Sequence, residues 1–180
     1  MALSTNRLPY GLRDVKVATL DSAGVKGSLV DFPNGQTLEF EESTSSQELR
    51  GDDQVVAQRV TIDSVDWTLE GGGYSLESMV IIAGGAVATS GTTPSIVKKW
   101  TRMGTDAYPD FFMEGQSIAE SGGDSHLVLY RCKATQVSGS HTDQEFWVTH
   151  CEGNAIATLT VADVGKVWAF VENETAAAIA

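Results

Sequence analysis

The stretch Thr37-Leu38-Glu39-Phe40-Glu41 alternates polar and apolar side chains without a break. Successive side chains of an extended strand point to opposite faces, so the leucine and the phenylalanine share one face. The two glutamates and the threonine share the other. The stretch therefore predicts a half-buried β-strand that presents carboxylates to solvent on its polar face.

A second segment, residues 54–70, continues this pattern with one irregularity. Val60 and Ile62 have one parity, whereas Trp67 has the opposite parity. One extra residue near Asp63-Ser64, which is a β-bulge, produces such a switch. With that bulge, the polar face of the second strand carries Asp63, Asp66, Thr68 and Glu70 beside the glutamates of the first strand.

The rest of the chain also reads mainly as strands. Residues 75–83 have helical spacing and end at Gly84-Gly85, which predicts a single helix. Strand patterns cover residues 12–20, 25–32, 96–103, 111–119, 127–137, 145–151 and 166–172, and residues 86–95 read as a loop. Without a βαβ rhythm, the 180 residues predict one mainly β domain over 1–180. We expect an antiparallel β-sandwich or open barrel with one packed α-helix.

Two segments are expected to lie outside this core. Residues 42–53 are polar and nearly free of large apolar side chains, which predicts an extended loop or a long hairpin without a core of its own. Residues 173–180 are expected to form a flexible C-terminal tail.

The net charge limits the partners. The chain has 24 acidic and 12 basic residues, and ten of the acids but only two of the bases lie in residues 39–77. A charge of −12 disfavours nucleic-acid binding and anionic membranes. The longest apolar stretch, residues 79–88, is far below the roughly 20 residues that span a bilayer. The start lacks an export signal, so we expect a soluble chain folded in a reducing cytoplasm.

Sequence motifs for chemistry are absent. The triple glycine at residues 71–73 lacks the lysine and the GxGxxG spacing of a phosphate-binding loop, and it reads as a strand-to-helix turn. No pair of histidine with aspartate or cysteine has metal-site spacing, and no nucleophile motif occurs. We expect no enzyme, no cofactor and no metal. Cys132 and Cys151 read as buried free thiols, with a single bridge as the alternative. The four tryptophans read as packing residues, with a sugar-stacking platform as the alternative.

An ordered set of segments carries a family resemblance. In chain order they are "YGLRDVKV", "TLEFEE", "STSSQELRGDD", "VDWTLEGGGYSLESMVIIAGG", "GGDSHLVLYRCKATQVSG", "EFWVTHCEGNAIA" and "GKVWAFVENET". The set covers roughly residues 10–174. It resembles the major tail tube proteins of long-tailed, non-contractile bacteriophages, particularly those of actinobacterial hosts.

The resemblance implies a structural role in the virion. Members of that family form rings of six copies, in which an inner sheet from each subunit joins a continuous β-barrel around a channel. Rings that stack into a tube enclose the tape-measure protein, which the passing phage DNA later replaces. The implied partners are further copies of the chain, the tape-measure protein, and the tail terminator and tail-tip proteins. The implied site of assembly is the host cytoplasm, with no membrane involved.

The resemblance also assigns roles to residues of this chain. The lumen-lining set is Thr37, Glu39, Glu41, Arg59, Thr61, Asp63, Asp66, Thr68 and Glu70. The inter-subunit arm is Glu42, Ser43, Thr44, Ser45, Ser46, Gln47, Glu48, Leu49, Arg50, Gly51, Asp52 and Asp53. Acids that face a channel repel phosphates, so DNA would pass without sticking to the wall.

Two other functions fit the same residues. A different virion β-sandwich, such as a tail terminator or a decoration protein, shares the fold class and the lack of a catalytic motif. A carbohydrate-binding or hydrolytic β-sandwich enzyme needs only two carboxylates a few ångströms apart, and a polar face this rich in acids offers many such pairs.

Overall fold

The computed structural model describes residues 8–120 and 122–179, so residues 1–7, in which no export signal is expected, lie outside the described part. The described residues form ten strands and one helix. The strands are β1 (Pro9–Leu20), β2 (Lys26–Asp31), β3 (Gly35–Gly51), β4 (Gln54–Gly72), β5 (Ala86–Ser90), β6 (Val97–Thr101), β7 (Asp110–Ala119), β8 (Asp124–Ser140), β9 (Val148–Ala155) and β10 (Trp168–Asn173), and the helix is α1 (Leu76–Ala83).

One large antiparallel sheet contains eight of these strands. Its order is β2-β1-β7-β8-β9-β4-β3, and β10 pairs with the first half of β8 while β9 pairs with its second half. The two remaining strands, β5 and β6, form a separate hairpin. The prediction of a mainly β, antiparallel fold with one helix is confirmed.

The sheet folds over on itself and encloses the core. The ring of Trp67 on β4 meets the ring of Phe111 on β7 edge to face, with centroids 5.6 Å apart. A Cβ on Gly115 of β7 would lie only 2.5 Å from Leu38 Cδ2, so the glycine lets β3 approach β7 closely. Apolar burial on this scale supplies most of the folding free energy. The fully or almost fully buried core includes Val15, Val17, Phe32, Val65, Trp67, Leu69, Ile82, Phe111, Met113 and Leu129.

The helix begins and ends where the sequence predicts. The Ser75 side chain accepts a hydrogen bond from the Ser78 amide, which caps the first turn. Gly84 follows the last turn with a φ of 79°, a conformation that a side chain would disfavour. Ile81 and Ile82 are buried in the main core, so α1 packs against the sheet.

The predicted β-bulge lies at Asp63. Ser43 pairs with Ser64, and the next pair joins Thr44 to Ile62, which leaves Asp63 without a partner on β3. The extra residue restores the alternation that places Val65 in the core after the exposed Ile62. This prediction is confirmed at residue level.

Two secondary-structure predictions need correction. The expected loop after the helix contains β5, a strand of small residues that pairs with β6. The strand expected at residues 145–151 begins later and ends later, at Val148–Ala155. A turn precedes it, in which Gln144 has a φ of 64°, and this turn delays the start of the strand.

The end of the chain packs on the sheet, which differs from the expected flexible tail. The amide of Ala177 donates a hydrogen bond to Asp124 Oδ2 at 2.9 Å, and Lys16 Nζ donates to the Ile179 carbonyl at 3.2 Å. Ile179 is only 4% exposed. A buried acceptor and an apolar anchor therefore tie residues 177–179 to β8 and β1, and Ala180 lies outside the described residues.

A buried charged cluster lies under this chain end. His126 donates from Nδ1 to Glu114 at 2.6 Å and from Nε2 to Asp124 at 3.0 Å, an arrangement that the doubly protonated ring satisfies. Burial opposes the charge on Asp124, but hydrogen bonds from His126, Ala177 and Gln116 outweigh it and hold the pKa of Asp124 well below its usual value. Burial likewise opposes the charge on His126, but its two carboxylate partners raise the pKa of His126.

The raised pKa of His126 predicts a pH-dependent stability. Since the folded pKa lies above the unfolded value near 6.5, the stabilisation is complete below that value and is lost as the pH rises through the folded pKa. We expect the free energy of unfolding in urea to fall between about pH 6 and about pH 9. His126→Gln removes that slope, whereas the exposed His141→Gln retains it. An identical slope in His126→Gln contradicts the assignment.

The two cysteines are free and buried, as predicted. Burial raises the pKa of Cys151 to about 12 and raises the pKa of Cys132 further above its usual range. Neither thiol is therefore reactive at neutral pH. Among the described residues, no helix has the length and apolar character needed to cross a bilayer.

Candidate functional site

The β3–β4 hairpin aligns acidic side chains on one face. Residues directly opposite each other in an antiparallel pair project to the same side of the sheet. Because Leu38 pairs with Leu69 and Phe40 with Trp67 towards the core, the alternate pairs face outward. These outward pairs are Thr37 with Glu70, Glu39 with Thr68, and Glu41 with Asp66.

The neighbouring strands extend this face. On β9, Glu152 lies opposite Thr68, and His150 lies opposite Glu70 and contacts its Oε1 at 3.0 Å. On β8, the Thr135 hydroxyl donates to the Glu152 carbonyl at 3.2 Å. We call this outward surface the acidic face; it consists of Thr37, Glu39, Glu41, Asp66, Thr68, Glu70, Thr135, His150, Glu152 and Asn154. Part of it is concave, and Glu39, Glu41, Asp66 and Glu152 line the hollow.

The contribution of β9 is absent from the sequence prediction. His150, Glu152 and Asn154 alternate with the buried Cys151 and Gly153, and this period of two was the available signal. The shifted start of the strand concealed it. The sequence therefore predicted two strands of a four-strand polar surface.

The carboxylates in the hollow are not neutralised by the chain itself. Within the described residues, the side chains of Glu39, Glu41 and Asp66 make no ion pair and no hydrogen bond. Glu41 and Asp66 lie directly opposite each other, a like-charge pair that costs stability. Packing does not require these acids, because the apolar pairs on the other face build the core.

Beyond the bulge, the hairpin leaves the body of the molecule. Residues 44–51 pair only with residues 54–62, and every residue in these two segments is exposed. Asp52 and Asp53 form the two-residue turn with φ values of 50° and 62°, as in hairpins with a type I′ turn. We call residues 44–62 the distal hairpin. Of the two structures expected for residues 42–53, the structure has the long hairpin.

Three residues lie elsewhere than the implied lumen and arm sets suggest. Arg59 lies opposite Gln47, and Thr61 lies opposite Ser45, so both are on the distal hairpin rather than over the body. Their side chains still share the face of the acids. Glu42, in contrast, remains at the body, where its Oε1 accepts a hydrogen bond from Trp168 Nε1 at 2.6 Å.

Half of the distal hairpin was not anticipated. Residues 54–62 contain Val55, Val56, Val60 and Ile62, which read as a core-forming strand in the sequence. In the structure these side chains are exposed, and Val56 reaches 66%. An apolar stripe on a projecting hairpin stays costly until another surface covers it.

Both ends of the large sheet are open. β2 and β3 are the outermost strands, and β3 has no partner on its outer side among the described residues. Unpaired backbone donors and acceptors along such an edge favour pairing with another strand. The 17 residues of β3 form the longer of these two edges.

Nothing in this region has the geometry of a metal site. Among residues 8–120 and 122–179, no three side chains of His, Cys, Asp or Glu converge as metal ligands. The aromatic rings nearest to the acids are Phe40, Trp168 and Phe170, which pack on one another with centroids 5.1–5.7 Å apart. Their faces are thus largely occupied by each other.

Comparison with known proteins does not identify a family. No protein-family model matches the chain, and no curated protein matches it significantly. The function is therefore proposed from two structural features and the resemblance. These features are the acidic face and the distal hairpin.

Proposed function

We propose that this chain is the subunit of a self-assembling tube, the tail tube of a long-tailed, non-contractile bacteriophage. Subunits join into rings, proposed to be hexameric, and the rings stack around the tape-measure protein. The observation that carries the proposal is the distal hairpin, which contributes no residue to the core of its own chain. Such a segment is ordered and retained when its binding partner is another subunit.

The open sheet edges support ring formation. Lateral pairing of the β3 edge of one copy with a strand of the next would satisfy the unpaired backbone groups. Repeating the same contact around a rotation axis closes the sheet into a barrel, which has no edges. The acidic face then lines the channel of that barrel.

The acidic face supports transport of DNA without binding. Its unneutralised carboxylates repel the phosphate backbone, so a genome in transit meets a surface that does not hold it. The proposed transient partner is therefore the phage DNA, and the tail terminator and tail-tip proteins cap the two ends of the tube.

Negative-stain microscopy of the purified protein tests the proposal. We expect rings and tubes with a central channel at high protein concentration. Closed rings that never stack favour a tail terminator or decoration protein instead. A strict monomer at every concentration overturns the proposal, and turnover of a glycan by that monomer favours the hydrolytic alternative.

Charge reversal in the channel provides a further prediction. Glu39→Lys, Asp63→Lys and Asp66→Lys together change an exposed surface, so we expect tubes to form as in the wild type. The added lysines attract phosphates, so these tubes should retain double-stranded DNA at low salt and release it at high salt. Co-sedimentation of DNA with tubes measures the difference. Equal DNA retention by wild-type and variant tubes contradicts an acidic lining.

A further inference from the structure

A preformed apolar groove lies at the end of the hairpin opposite its turn. The groove lies between α1, β6 and the adjoining ends of β8 and β9, and Tyr74, Met79, Trp100, Val137 and Trp147 line it. Two contacts hold its tryptophans in place. The indole of Trp100 donates to the Gly84 carbonyl at 2.9 Å, and the indole of Trp147 donates to the Thr149 hydroxyl at 2.8 Å.

A glycine makes room for one wall of this groove. A Cβ on Gly139 would collide with the ring of Trp147, so only glycine allows the ring to lie flat against β8. Tyr74 meets the same ring edge to face, with centroids 5.9 Å apart. The aromatic walls are therefore fixed before any partner binds.

The rim of the groove is basic in an otherwise acidic chain. Lys98, Trp100 and Arg102 share one face of the β6 segment, and Trp100 and Arg102 line the groove. Lys98 Nζ lies 4.0 Å from Glu77 Oε1, a distance typical of a weak surface pair. Lys99 is exposed and makes no ion pair within the described residues.

The tip of the hairpin has the complementary chemistry. Leu49, Val55 and Val56 are 64%, 49% and 66% exposed there. Asp52 and Asp53 form the turn, and neither carboxylate has a hydrogen-bond or ion-pair partner within the described part of the chain. The tip thus offers a small apolar knob beside two free negative charges.

The tip and the groove of one molecule are too far apart to meet. β4 starts at the turn and ends at Gly72, beside the groove residue Tyr74, and its 19 residues extend roughly 60 Å. We infer that the hairpin tip of one copy binds the groove of a second copy, an inference that rests on the proposed tube function. The apolar knob covers the aromatic walls, and Asp52 and Asp53 pair with Lys98 and Lys99.

This contact joins different surfaces of two identical chains. Such a heterologous contact repeats without closing when its two surfaces lie at opposite ends of the molecule. The tip and groove therefore account for ring-to-ring stacking. Lateral contacts through the sheet edges act independently of it.

A double-mutant cycle tests the contact in the full-length protein. Asp52→Asn with Asp53→Asn removes the tip charges, and asparagine tolerates the positive φ of the turn. Lys98→Gln with Lys99→Gln removes the rim charges. Each pair should raise the protein concentration needed for stacking about tenfold at low salt. All four substitutions together should raise it by about the same factor, since either pair alone already breaks the interaction.

The matched control is Glu39→Gln with Glu41→Gln, which makes the same charge change on the same hairpin away from the tip. Sedimentation velocity measures stacking for all variants, and the control should stack like the wild type. Independent effects that multiply to about a hundredfold, or a control as weak as the tip variant, overturn the inference. If the wild type stacks while the cycle shows no coupling, only the tip–groove contact fails. If the wild type never assembles, the proposed function fails with it.

Discussion

Removal of the distal hairpin is expected to abolish assembly and leave the fold intact. The variant replaces residues 44–63 with Asn-Gly, a two-residue turn that joins the paired Ser43 and Ser64. No deleted side chain is buried, so the free energy of unfolding should stay within about 1 kcal/mol of wild type. Stacking should weaken at least about a hundredfold, a factor that corresponds to about 2.7 kcal/mol.

Urea unfolding and sedimentation velocity measure the two effects separately. The informative control deletes only residues 43–51, which leaves residues 54–62 as an unpaired apolar strand. That control should aggregate, because an exposed strand edge recruits other chains. A hairpin-free variant that is unfolded shows that the distal hairpin stabilises its own chain. One that assembles normally shows that the hairpin is not an inter-subunit element.

Gly153→Ala is expected to destabilise the fold strongly. A Cβ at this position of β9 would collide with the Lys133 carbonyl and lie 2.7 Å from Trp67 Cζ2 and 2.8 Å from Ala134 Cα. Two of these three atoms belong to the backbone of β8, so a side-chain rotation cannot relieve the overlap. We expect a loss of about 3 kcal/mol, which lowers Tm by roughly 6–12 °C.

Gly104→Ala is the matched control for this prediction. Its Cβ would meet nothing within 4 Å and its φ is not in the left-handed region, so the substitution should change Tm little. Thermal unfolding of both variants followed by circular dichroism gives the comparison. Equal Tm values for the two alanine variants contradict the close packing of β9 between Trp67 and β8.

The parts of the fold that were predictable from sequence are those where one face meets the core. The alternation at residues 37–41 and the parity switch at Asp63 follow from the period of a strand, and the structure has both. α1 was predictable for a similar reason, because Ser75 and Gly84 satisfy its ends. In each case, local chemistry and burial lead to the same structure.

The unpredicted parts lack that agreement. Val55, Val60 and Ile62 have the composition of a core strand but no core to enter, so their sequence does not reveal that they project into solvent. The acidic face was half predictable, since the pairing of β9 with β4 joins residues about 80 positions apart, such as Glu70 and His150. No local pattern determines which strands pair over such a separation.

The uninterrupted course of β4 has a mechanical consequence for a stack of subunits. One strand runs from the turn at Asp53 to Gly72 at the groove, so tension between stacked copies passes along a single length of backbone. Its hydrogen bonds to β3 lie perpendicular to that direction, and a pull along the strand loads them together in shear rather than one at a time. Beside the body, β9 adds a second set of bonds on the other side of β4. The weakest section is therefore the stretch between the turn and the bulge at Asp63, where a tube under strain should yield first.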